Sequence, residues 1–166
     1  LWRNILKLLL FIFSVLISST GFAKSYNLSI NEKTVSFSGE ERKAMAVNDS
    51  IPGPTLTFTE GDTAEINVTN NMDVETSVHW HGLILPNFQD GVPYLTTPPI
   101  RPGETFKYSF PITHSGTYWY HSHTGLQEQR GVYGSIVIKP KKQKLKYDRY
   151  LVLVLTDWTD EDPNDV

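Results

Sequence analysis

The chain has 166 residues, of which 39% are hydrophobic and 12% aromatic, enough apolar material for one core of ordinary size. Its formal net charge of −3 leaves no basic footprint for nucleic acid. The absence of cysteine excludes a disulfide framework and a thiolate metal site.

Residues 1–23 read as a secretory signal peptide. Arg3 and Lys7 make a positive start, residues 8–17 are apolar except for Ser14, and Gly21-Phe22-Ala23 is a cleavage site. The apolar run is about half of the roughly 20 residues a spanning helix needs, which favours export over a stable membrane anchor.

Short β-like runs follow at residues 26–30, 34–37, 44–47, 55–59 and 63–68. Turn residues separate them: Ser38-Gly39, Asn48-Asp49-Ser50, Ile51-Pro52-Gly53-Pro54 and Glu60-Gly61-Asp62. No run has helical period, so the spacing predicts an all-β sandwich or barrel. Residues 76–80 carry the chain into His79-Trp80-His81-Gly82, where Gly82 permits the close backbone approach a crowded metal site requires. The proline-rich residues 86–102 predict a long irregular loop, functional by its position after those histidines. Residues 105–110 predict a strand with Phe106, Tyr108 and Phe110 on one face. His114 has no histidine two residues away and reads as an exposed loop residue, not a ligand. Residues 118–122 predict a second strand, leading into His121-Ser122-His123, and residues 131–138 a closing strand. The basic residues 140–149 read as a solvated linker. Residues 24–139 thus make one domain, and an apolar strand at residues 150–155 opens a further one over residues 150–166.

Four of the five histidines lie in the two H-x-H pairs. In a strand, residues i and i+2 point the same way about 6.6 Å apart, so each pair presents two imidazoles from one face. Two such strands side by side would offer four nitrogen ligands to a shared space. A single histidine is more often a satisfied polar or core residue; this double pattern favours a metal. Imidazole suits copper, zinc, iron and nickel, so ligand type alone does not name it. Trp119, His121 and His123 share one face and Tyr118, Tyr120 and Ser122 the other. The aromatic residues read as core filler, with one ring shielding the metal face.

His79-Trp80-His81-Gly82, with Leu85-Pro86-Asn87 and Asp90-Gly91-Val92-Pro93, resembles the first copper motif of multicopper oxidases. Gly116-Thr117-Tyr118-Trp119-Tyr120-His121-Ser122-His123-Thr124-Gly125-Leu126-Gln127-Glu128-Gln129 resembles the second. The wording is most similar to the periplasmic copper-resistance oxidases, relatives of the laccases, and runs from about Ser25 to the end of the chain. The resemblance implies a Greek-key β-sandwich of cupredoxin type, with the first strand of a second, truncated domain after it. It implies a periplasmic location and copper as the metal. By motif matching, His79 corresponds to the type 2 copper ligand, His81 and His121 to ligands of one type 3 copper, and His123 to the other. Asp90 matches an acid near the type 2 copper that relays protons; the competing reading is an aspartate that caps the turn before Gly91.

In that family the cluster takes four more histidines from the last domain, and electrons enter through a type 1 copper bound by cysteine. The resemblance therefore implies the N-terminal portion of an oxidase that supplies half of a trinuclear cluster and is inactive alone. Dioxygen and a reducing substrate, cuprous ion or phenols, would be handled together with the missing C-terminal domain. The alternative is a stand-alone exported copper-binding and sequestering protein without oxidase activity; the orphan strand at residues 150–155 favours the first reading. A copper nitrite reductase fails, because its first domain carries the type 1 cysteine.

Overall fold

Eight strands among the described residues build the molecule, some half-buried with alternating faces and others buried on both. The computed structural model describes residues 23–166, so the signal-peptide reading falls, but for Ala23, outside the described residues. The strands are β1 (Ala23–Val35), β2 (Arg42–Val47), β3 (Gly53–Thr59), β4 (Thr63–Asn70), β5 (His79–His81), β6 (Thr105–Pro111), β7 (Gly116–His121) and β8 (Tyr133–Lys139). They form two four-stranded sheets, ordered β2-β1-β4-β6 and β3-β8-β7-β5. The β1–β4 and β3–β8 pairs are parallel and the rest antiparallel. Along β4 every second residue is buried, and Ala64, Ile66 and Val68 meet a common core with Leu28, Phe58, Tyr120 and Ile136. No helix among the described residues is long and apolar enough to cross a membrane.

Three elements differ from the sequence expectation. The runs at residues 26–30 and 34–37 are largely one strand, β1, which ends at Val35 and changes partner along its length. Its first part, to Ile30, pairs with β4, and its last part, from Ile30, pairs with β2. Of residues 76–80 only the end is in a ladder: β5 is three residues long, and Thr76 makes an isolated bridge to Ile100. The expected strand at residues 150–155 does not form. A strand needs a neighbour to pair its amides, and no described residue pairs with this segment. The loop at residues 86–102 is irregular as expected, with one 3-10 turn at Asn87–Gln89.

Trp80 decides which way β5 faces. It is fully buried, with its ring centroid 5.0 Å from Tyr108, 5.6 Å from Phe110 and 6.1 Å from Tyr120. Because side chains alternate along a strand, burying the indole between the sheets turns His79 and His81 to the outer face.

Candidate metal centre

The β5–β7 register brings the two histidine pairs together. His79 lies directly opposite His121, and His81 opposite Trp119. Tyr120 points into the core like Trp80, so His121 and Trp119 share the outer face with His79 and His81. Ring centroids are 5.7 Å apart for His79–His81, 5.4 Å for His79–His121 and 5.4 Å for His81–His121. One ring nitrogen from each of the three lies within 4.8 Å of the other two. His123 follows the end of β7 and stands beside this group, 5.7 Å from His79 between centroids. Its backbone N–H donates to Ser77 Oγ at 3.0 Å.

Hydrogen bonds set the ring orientations. The His79 Nδ1–H donates to the Asp90 carbonyl at 2.7 Å, which leaves Nε2 as a free acceptor. The His121 Nδ1–H donates to the Ser122 carbonyl at 2.8 Å, and Glu128 Oε2 lies 2.5 Å from the same nitrogen. His121 Nε2 therefore carries the lone pair, and it faces His81 Nδ1 at 3.2 Å. Burial holds the pKa of His121 below its usual value, and the nearby His79 and His81 act the same way against the Ser122 carbonyl and Glu128. The neutral imidazole so favoured is the form that ligates a metal.

The arrangement fits a metal ion. Two nitrogens each about 2.0–2.1 Å from one ion stand 3.2 Å apart when the angle between them is about 100°. The donor set is all imidazole, which suits Cu(II), the divalent ion at the top of the affinity order for nitrogen sites. Trp119 stacks on His121 at 4.0 Å and 22°, so one aromatic ring does shield this face.

Asp90 sits where the loop returns to β5. Its Oδ1 is 3.5 Å from His79 Nδ1, and its side chain is 28% exposed. The Gly91 N–H donates to Thr97 Oγ1 at 2.9 Å, so Asp90 does not cap the turn through that amide. Gly91 has φ +83°, and a Cβ there would run into the Val78 carbonyl, so the loop backbone can lie against β5 only with glycine. Gly82 has a different reason from the one expected. At φ +82° it turns the chain, and a Cβ would press on the Tyr118 ring, not on the histidines.

His114 is half-buried rather than exposed, its ring edge-on to Tyr118 at 5.3 Å and 89°. It lies outside the three-histidine group. Two residues without an expected role prove to shape the site. The buried Gln127 accepts from Thr76 Oγ1 at 2.7 Å and Ser122 Oγ at 2.9 Å, and its Nε2 donates to the Glu75 carbonyl at 2.8 Å. Glu128 follows it and reaches His121. Both stand within the second histidine motif, four and five residues after His123, and that proximity was the available signal.

The two-sheet sandwich with histidines gathered on neighbouring strands is a cupredoxin-type domain, all-β and of the Greek-key kind. Fet3p, described as a multicopper oxidase that functions in iron import, superposes with a TM-score of 0.79 at 36% identity, covering 86% of this chain and 28% of that one. The chain belongs to the multicopper oxidase family, whose profile matches residues 29–143. Copper resistance protein A of Pseudomonas syringae pv. tomato is 52% identical over 139 residues, 83% of this chain and 23% of that protein. Laccase-1 of Cryptococcus neoformans var. neoformans is 37% identical over 142 residues, 81% of this chain and 23% of that protein. The chain thus spans about a quarter of the length of the curated relatives it matches. Copper is the metal this family uses.

Proposed function

We propose that the chain is the copper-binding N-terminal portion of a periplasmic multicopper oxidase, supplying half the ligands of a trinuclear copper cluster. His79, His81, His121 and His123 hold the copper. The observation that carries this reading is the convergence of three imidazole nitrogens within 4.8 Å on the outer face of the β5 edge. His81 and His123 are exposed, so the half-site is open to ligands from another part of the protein. Residues 1–23 direct export, residues 24–139 form the first domain, residues 140–149 the linker and residues 150–166 the start of a second domain.

Copper bound here supplies the one-electron chemistry that couples oxidation of a reducing substrate, cuprous ion or a phenol, to reduction of dioxygen to water. The chain's own residues orient the ligands and deliver protons. The Asp90 carbonyl fixes the His79 ring, and the Asp90 carboxyl, 3.5 Å from His79 Nδ1 and partly open to solvent, carries protons inward. With no cysteine, the chain has no type 1 thiolate of its own.

Titration of the purified chain with Cu(II), alongside a phenol-oxidation assay, tests this reading. The expected result is copper binding that His81→Ala or His121→Ala weakens severely, leaving residual binding by the other imidazoles, with no turnover by the chain alone. Steady turnover without added protein, or binding indifferent to both substitutions, overturns it.

A further inference from the structure

We infer that Glu128 is a positioning residue for copper at the His81–His121 pair. Its carboxylate fixes the imidazole of His121 so that Nε2 points into the site. The inference rests on reading His121 as a copper ligand.

The three clustered histidines are not held alike. His79 has the Asp90 carbonyl at 2.7 Å and a carboxylate, that of Asp90, only at 3.5 Å. His121 has the Ser122 carbonyl at 2.8 Å and, in addition, the Glu128 carboxylate at 2.5 Å from the same Nδ1. A flip of the imidazole would exchange Nε2 for carbon at the position facing His81 Nδ1. The two acceptors oppose that flip, because it would leave a C–H against a carbonyl and a carboxylate. The Ser122 carbonyl takes the hydrogen bond, while the negative carboxylate beside the same nitrogen favours a proton there and raises the basicity of the opposite nitrogen.

Glu128 is itself held. It lies on the connection between β7 and β8, where its carbonyl accepts from the Gly131 N–H at 3.1 Å. The preceding Gln127 is anchored through three hydrogen bonds to Thr76, Ser122 and Glu75. The following Gln129 donates from Nε2 to Asp157 Oδ1 at 3.2 Å. A side chain between two anchored neighbours can hold a ring in place; a free surface glutamate could not. The carboxylate is 42% exposed while the His121 side chain is 8% exposed, so Glu128 reaches inward from the surface to an otherwise covered ring.

The test is Cu(II) titration of the purified chain with Glu128→Ala and Glu128→Gln, each made alone and on a His121→Ala background. Melting temperatures of the metal-free proteins are measured in parallel. Glu128→Ala is expected to weaken copper binding by about 10–100-fold, the usual effect of losing a residue that orients a metal ligand. Glu128→Gln, which keeps an oxygen of the same reach but not the charge, is expected to recover part of that loss. On the His121→Ala background Glu128→Ala is expected to cause no further loss, and all metal-free variants are expected to melt with their parents. Unchanged affinity in Glu128→Ala, an equal loss on both backgrounds, or a loss matched by a fall in metal-free melting temperature overturns the inference alone. Failure of the parent chain to bind copper, or binding unaffected by His121→Ala, overturns the underlying reading and the inference with it.

Discussion

Asp90 separates two roles within a single residue. Its backbone carbonyl takes the His79 N–H at 2.7 Å, while its carboxylate stands 3.5 Å from the same nitrogen. Asp90→Asn keeps the carbonyl and the side-chain size but removes the acidic proton. In a complete protein carrying the remaining ligands, copper loading and reduction by substrate are expected to stay normal. Reoxidation by dioxygen, followed by stopped flow, is expected to slow by about 10²-fold or more, the usual worth of a positioned proton donor. Loss of copper or of the fold would instead make Asp90 a structural residue. The sequence gives Asp90 two readings because Asp-Gly suits a turn as well as a site. The Gly91 N–H goes to Thr97 rather than to Asp90, a contact that exists only once the loop has closed.

At the scale of the element, β5 is an edge strand of three residues whose orientation depends on one side chain. Trp80 is fully buried against Tyr108, Phe110 and Tyr120, and its indole gives β5 most of its hold on the core. Trp80→Ala is expected to destabilise the metal-free chain by about 3–5 kcal/mol, lowering the urea midpoint at unchanged slope. Trp80→Phe, which refills part of the space, is expected to cost clearly less and to keep copper binding. An alanine variant as stable as its parent would show that β5 is held by something else. The facing of these histidines was legible in the sequence, since alternation alone puts His79 and His81 on one side and Trp80 on the other. The pairing of β5 with β7 was not, because register is set by contacts between strands 40 residues apart, such as His81 with His121. The same limit hid Glu128, whose role depends on the path of the turn after His123. It also hid the length of β1, whose partner change at Ile30 is a property of the sheet.

For the molecule as a whole, residues 150–166 show two different kinds of surface. Val152 and Val154 are half-buried and line a cavity of about 430 Å³ with Trp119, Tyr133 and Ser135 on the outer face of β7 and β8. Leu151, Leu153 and Leu155 are exposed, at 81%, 84% and 94%. Farther along, Trp158 packs edge-on against Phe37 at 5.0 Å, and Arg42 Nε donates to the Asp160 carbonyl at 3.1 Å. The alternation at residues 150–155 was legible as a strand pattern. The sequence could not say whether a neighbouring strand exists to complete it, and pairing, not pattern, makes a strand. The two surfaces predict opposite responses to substitution. Replacing Leu151, Leu153 and Leu155 together by lysine removes only exposed apolar area, so the melting temperature is expected to stay within about 2 °C while solubility rises. Trp158→Ala removes a packed ring that ties the segment to the β1–β2 connection, and is expected to cost about 1 kcal/mol in thermal unfolding. A triple variant that melts well below its parent would mean that the leucines, rather than Trp158, hold the segment to the sandwich.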